Sequence, residues 1–167
     1  MNSRIIPCGI YGKQTWQDTL FSPFLILLFL PLALSLIQVS TPWGIHLHFF
    51  QIAILFGAYF YGPVGGGIAG AAGAFAGALI LSNPYIIVGN VILGTAAGYF
   101  ARLGFRPIFA MWSAFLIQLP WLILSDYCFM GLSATFLPGL IVSLFLSNTL
   151  WALVVTFAFR LFRRYDA

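Results

Sequence analysis

The sequence predicts an all-α polytopic membrane protein: a compact bundle of six transmembrane helices with N- and C-termini cytoplasmic. Three observations carry that prediction. Apolar residues make up 62% of the 167-residue chain and charged residues only 6%, whereas a soluble domain carries roughly 25% charge. Pro, Gly and Arg divide the chain into apolar runs close to the roughly 20 residues that a helix needs to cross a bilayer. Every Lys and Arg lies outside those runs or at their ends.

The first span reads from Leu20 to Gln38, with Pro23 and Pro31 inside it as candidate kinks, because each removes a backbone hydrogen bond. The second runs from Ile45 to Phe60 and is short. The third runs from Val64 to Leu81, the fourth from Tyr85 to Ala101, the fifth from Pro107 to Ser125 and the sixth from Phe136 to Phe159. The first apolar run is too long for a signal peptide and no small-residue cleavage site follows it, so it reads as a retained helix. The chain 1–167 is then a single transmembrane domain, with 1–19 as a cytoplasmic N-terminal segment and 160–167 as a cytoplasmic basic tail. Neither end has room for a soluble catalytic or ATP-binding domain.

The net charge of +4 reads as topology, not as a nucleic-acid surface. Arg4 and Lys13 precede the first span, Arg102 and Arg106 lie between the fourth and fifth, and Arg160, Arg163 and Arg164 follow the sixth. Six spans with a cytoplasmic N-terminus place all of them inside, as the positive-inside rule asks. The outer loops are then Val39–Gly44, Ser82–Pro84 and Asp126–Thr135, with Asp126 as their one charge. Cys8 falls inside and Cys128 outside, so they cannot pair within one chain, and no metal-ligand spacing occurs.

The third span is nearly a ladder of small residues. Gly66, Gly70, Ala74 and Ala78 share one face at four-residue spacing, and Gly73 and Gly77 form a second pair. Such faces let helix backbones approach closely in lipid. One reading is internal packing. The other is docking against a second membrane protein, favoured because this helix is small almost all round; Gly66, Gly70, Gly73, Ala74 and Gly77 are the residues it would use.

Polar residues inside apolar runs cost free energy and need a reason. Here they gather in the outer halves: Trp43, His46, His48 and Gln51 at the start of the second span, and Asn83, Tyr85 and Asn90 at the third-to-fourth crossing. Gln118, Trp121, Asp126 and Tyr127 follow at the end of the fifth, then Ser143, Ser147, Asn148 and Trp151 in the sixth. A polar and aromatic ring at one membrane face has the composition of a small-ligand pocket. Each member also has a plainer reading. Trp and Tyr line membrane interfaces generally, and Asn90, Gln118 and Asn148 could bond helix to helix. Asp126 could be a loop acid. His46 and His48, two apart, do not share a helical face, and no third ligand sits close enough in sequence to make a metal site. Enzyme signatures are missing: no phosphate-binding Gly loop, no HExxH, no nucleophile elbow and no second carboxylate near Asp126.

The stretch Ile45–Arg102 combines a short span with a polar head, the turn Tyr61-Gly62-Pro63, a small-residue helix, an Asn83-Pro84 turn and a Gly-rich helix ending in Arg102. This resembles the substrate-binding S components of energy-coupling factor (ECF) transporters of prokaryotic cell membranes. The resemblance implies capture of a vitamin or related heterocyclic micronutrient from outside, in a pocket built by the outer loops and later helices. It also implies two ATPase subunits, which hydrolyse ATP, and a transmembrane coupling subunit; this chain itself would need no cofactor. Substrate contacts would come from Trp43, His46, His48, Gln51, Asn83, Asn90, Gln118, Trp121, Asp126, Asn148 and Trp151. Two features depart from the family pattern. The first helix offers only Ala33, with Ser35 nearby, where many S components carry an Ala-xxx-Ala docking face. The chain begins Met1-Asn2-Ser3, without the N-terminal histidine of the nickel and cobalt binders. The competing reading is a membrane scaffold resembling the small multi-spanning protein of the bacterial rod-shape complex, which would bind no small ligand. The aromatic, uncharged mouth favours a flat neutral or cationic heterocycle over a polyanion.

Overall fold

The computed structural model describes residues 16–40 and 46–165, with side chains over 24–37, 39 and 47–161. The predicted cytoplasmic segment 1–19, including Arg4, Cys8 and Lys13, therefore lies largely outside the described residues, as does Trp43. Only the backbone is described for His46, Arg163 and Arg164.

The described chain is helical apart from one short strand pair. Helix α1 spans Trp16–Ser35, α2 Phe50–Ile80, α3 Tyr85–Arg102, α4 Pro107–Ile123 and α5 Leu137–Tyr165; a π-helical turn, Leu124–Phe129, extends α4. Between α1 and α2, strands β1 (Gln38–Ser40) and β2 (His46–His48) pair antiparallel, with Val39 opposite Leu47. From sequence this segment is expected to be a loop and the first turn of a helix. His46–His48 is a strand, so an argument from helical faces does not apply to it.

Helix α2 is two helices in one. At Gly62 the backbone takes φ 69° and ψ −154°, a region open essentially to glycine alone. The chain reverses there, and Pro63 follows at the first position of the new helix, where its missing N–H costs nothing. The packing shows the reversal directly. A Cβ placed on Gly57 would lie 2.7 Å from the Gly65 carbonyl oxygen, and one on Gly73 would lie 2.5 Å from Cδ2 of Phe50. In a straight helix residues 50 and 73 would stand about 34 Å apart. The arms 50–61 and 63–80 thus correspond to the second and third sequence spans.

Arm 63–80 then packs antiparallel on α3 with almost no side chain between the backbones. A Cβ on Gly66 would collide with the carbonyl of Gly94, one on Gly94 with that of Gly66, and one on Gly70 with that of Asn90. Gly98 rests on the Gly62 turn, its Cβ position 2.5 Å from the Gly62 oxygen. Helix α4 packs on α3, α5 on α4, and α5 closes the ring against α2, while α1 lies outside against α2. Ile54, Leu55, Leu93, Met111 and Val155 fill the middle.

The distribution of side chains is that of a protein in lipid. Small Ala and Gly lie inside, while Phe29, Phe60, Val64, Ile80, Leu116 and Phe157 are exposed. Three segments among the described residues are long and apolar enough to cross a membrane: Phe50–Ile80, Pro107–Phe129 and Leu137–Leu161. The protein is membrane-embedded and multi-pass.

This packing shows what lies beside the small residues named for docking. Gly66 and Gly70 are covered by α3, Gly73 by Phe50, and Ala74 is buried. Gly77, by contrast with Gly66, Gly70 and Gly73, has open space beside it. The small-residue faces hold the bundle itself together.

Candidate functional site

The two ends of the bundle differ in chemistry. At one end Tyr59 donates its hydroxyl to the Phe105 carbonyl, 2.5 Å, and its ring meets Phe159 at 5.4 Å. The Gly62 turn, Arg102, Arg106 and Arg160 all belong to this end; the Arg102 guanidinium covers the space beside Gly62, and Arg160 stands 5.9 Å from the ring of Phe157. The other end holds the starts of α2, α3 and α5 and the end of α4. Among the described side chains its one charge is Asp126.

At that second end the predicted polar residues form two knots. The first joins the strand pair and α2 to α5. Gln51, only 2% exposed, accepts a hydrogen bond from the Ser147 hydroxyl at 2.6 Å, and the same hydroxyl accepts from the His48 backbone N–H at 3.2 Å. The His48 ring leans on Phe50, and Phe49 lies 4.7 Å from the ring of Trp151. Asn148 and Trp151, one turn apart on α5, are 2% and 9% exposed. The Asn148 Oδ1 and the Trp151 indole N–H have no hydrogen-bond partner among the described residues. Leaving a buried polar atom unpaired costs about 1–3 kcal/mol, so these two atoms call for something to bond.

The second knot ties the α2–α3 turn to the π-helical turn. Asn83 donates to the Asp126 carboxylate at 3.2 Å while its own oxygen accepts the Tyr85 backbone N–H at 3.1 Å. Trp121 donates its indole N–H to the Tyr85 carbonyl at 3.1 Å, and the Tyr85 ring packs on Trp121 and Phe129. Gln118 and Trp121 both lean on Gly89, whose missing side chain makes the room: a Cβ there would lie 3.4 and 3.3 Å from their nearest atoms. The knot absorbs Asp126 into a structural bond, and Ser82 beside it takes a positive φ of 52° to close the turn. Asn90 joins neither knot; its amide donates to the Ile86 carbonyl of its own helix at 2.9 Å.

The structure thus brings His48, Gln51, Asn148 and Trp151 together in one place, and Asn83, Gln118, Trp121 and Asp126 in another. Two surface concavities, of about 220 and 400 Å³, are lined by other residues. One lies between α1 and the arm 50–61, beside Leu27, Pro31 and Gly57; the other lies along arm 63–80 and α3, beside Gly67, Ala71 and Thr95. No protein-family model matches the sequence, and no curated protein or solved structure matches it significantly. The reading of the site therefore stands on its chemistry.

Ser147 was one serine among several in the sequence, and its place at the centre of the first knot had no local signal. Its partners, Gln51 and His48, are 96 and 99 residues away. Ser147→Ala removes both links at once. We expect a loss of about 1–3 kcal/mol, read as a lower unfolding temperature of the detergent-solubilised protein. An unchanged unfolding temperature would mean that the bond contributes nothing.

Proposed function

We propose that the chain is the substrate-binding membrane subunit of an ECF-type importer in a prokaryotic cell membrane. It captures a small heterocyclic micronutrient from outside for uptake driven by partner ATPases. The observation that carries this reading is the pair of partnerless buried atoms on Asn148 and Trp151, set among His48, Gln51 and aromatic rings at the end of the bundle where no described side chain is Arg or Lys. A scaffold gains nothing from buried polar atoms held unpaired, whereas a ligand site is unpaired until its ligand arrives. The segregation of Arg102, Arg106 and Arg160 to the opposite end supports six crossings with that end cytoplasmic. With the Gly66–Gly70 face occupied by α3, a coupling subunit would meet another surface of the bundle.

Two measurements test the proposal. Native mass spectrometry of the protein released from mild detergent should show a co-purified small molecule, and the Asn148→Leu variant should lack it. A wild-type chain bare in every preparation would favour the scaffold reading. For topology, a cysteine replacing Arg106 should resist a membrane-impermeant thiol reagent on intact cells and react once the cells are opened. Labelling on intact cells would overturn the six-crossing arrangement.

A further inference from the structure

Resting on that capture reading, we infer that the ligand presents an uncharged amide-type edge to α5: an N–H for the Asn148 oxygen and a C=O for the Trp151 indole. The two unpaired groups are complementary in kind. An indole N–H can only donate, so Trp151 requires an acceptor; the free Asn148 Oδ1 requires a donor. The residues stand three apart on one helix, so their side chains are neighbours on its surface, and both are at least nine-tenths buried. A lactam, imide or cyclic urea carries a donor and an acceptor on adjacent atoms of one planar ring.

The surroundings favour an uncharged edge over a charged one. Among the described residues no Arg or Lys side chain stands here to meet a carboxylate or phosphate, since Arg102, Arg106 and Arg160 belong to the other end. A cation would meet an indole N–H dipole pointed the wrong way. The one described carboxylate, Asp126, is engaged by Asn83 in the other knot. Phe49, tilted at 52° and 4.7 Å from Trp151, supplies the apolar wall that a flat ring needs.

Four small probes test this on the full-length protein in detergent, read as ligand-dependent shifts in unfolding temperature. They are uracil, 1,3-dimethyluracil, benzoate and benzyltrimethylammonium. Uracil offers the N–H and C=O edge; dimethyluracil keeps the ring and carbonyls but has no N–H. Uracil should stabilise the protein and dimethyluracil should not. Trp151→Phe, which keeps the ring against Phe49 and deletes only the donor, should weaken the uracil effect about ten- to a hundredfold, as should Asn148→Leu. If Asn148→Leu does not fold, Trp151→Phe alone decides. Equal binding of dimethyluracil, no binding of uracil, or uracil binding that ignores both substitutions would overturn the inference. A charged compound that co-purifies with the wild type and is lost from both variants would also overturn it, while leaving the capture reading intact. A chain that binds no probe and carries no compound would sink both.

Discussion

Gly94→Leu should leave no folded protein to assay, and Gly66→Leu should do the same, while Gly77→Leu folds as the parent does. The three glycines look alike in sequence but not in space. The Cβ positions of Gly66 and Gly94 are filled by each other's carbonyls, whereas nothing lies within 4 Å of the Cβ position of Gly77. Overpacking a core costs typically about 1–3 kcal/mol when side chains can give way. Here the obstacle is backbone, and a backbone can yield only if the helices separate. Separation at Gly66–Gly94 also opens the Gly70–Asn90 contact one turn away and the Gly62–Gly98 contact at the turn, so the cost spreads along the whole interface. In lipid that interface has little hydrophobic drive to fall back on, because close van der Waals packing is what holds apolar helices together there. Size-exclusion profile and unfolding temperature in detergent provide the readout. A monodisperse Gly94→Leu protein with the parent's unfolding temperature would show that α3 and arm 63–80 do not pack as described. The same experiment decides what the glycine face is for. Had it served a partner, Gly66→Leu would fold normally and fail only in assembly.

The helix boundaries were legible because they rest on local chemistry. Pro84 and Pro107 stand at the starts of α3 and α4, and Gly62-Pro63 at the reversal of α2, so the expected spans 64–81, 85–101 and 107–125 fall close to the observed segments. The sixth expected span began one residue before α5 but stopped at Phe159, six residues short of Tyr165; the basic residues taken for a tail continue the helix, as cations at a helix C-terminus can. Periodicity also showed which residues of arm 63–80 share a face, but not what covers that face. An apolar face that meets lipid and one that meets another helix have the same composition, so docking and internal packing could not be separated in sequence.

The strand pair escaped for a different reason. Three-residue strands carry almost no pattern of their own, and β1 and β2 exist through pairing across the intervening loop. The candidate site divides along the same line. Residue types and membrane depth pointed to His48, Gln51, Asn83, Gln118, Trp121, Asp126, Asn148 and Trp151 as one ring. Their separation into a knot centred on Ser147 and a knot centred on Asn83–Asp126 depends on which helices are neighbours. Sequence spacing holds no trace of a bond between residues 51 and 147. Asn90 carries a bond that spacing along its own helix does suggest: its amide donates to the carbonyl four residues back.

Gly62→Ala should be strongly destabilising, and Gly62→Asn should not repair it. Most left-handed turns tolerate asparagine, because its short amide bonds locally at φ and ψ both near +50°. Gly62 combines φ 69° with ψ −154°, which lies far from that basin, so any Cβ is strained by roughly 1–3 kcal/mol. A second, separable penalty is steric. The Arg102 guanidinium occupies the space that a Cβ at Gly62 would take, but it is the end of a flexible side chain and can swing away. Removing it distinguishes the two effects: adding Arg102→Ala to Gly62→Ala should recover only a small part of the lost stability. The consequence reaches beyond the turn, because the reversal at Gly62 brings Phe50 onto Gly73 and so sets the position of Gln51, one residue on, against Ser147. The Gly62→Ala protein should therefore unfold at lower temperature and also lose part of any binding that depends on the Gln51–Ser147 knot, although residue 62 is at the opposite end of the bundle. A Gly62→Asn protein as stable as the parent would mean that the turn is an ordinary left-handed one, and that the reversal does not depend on glycine.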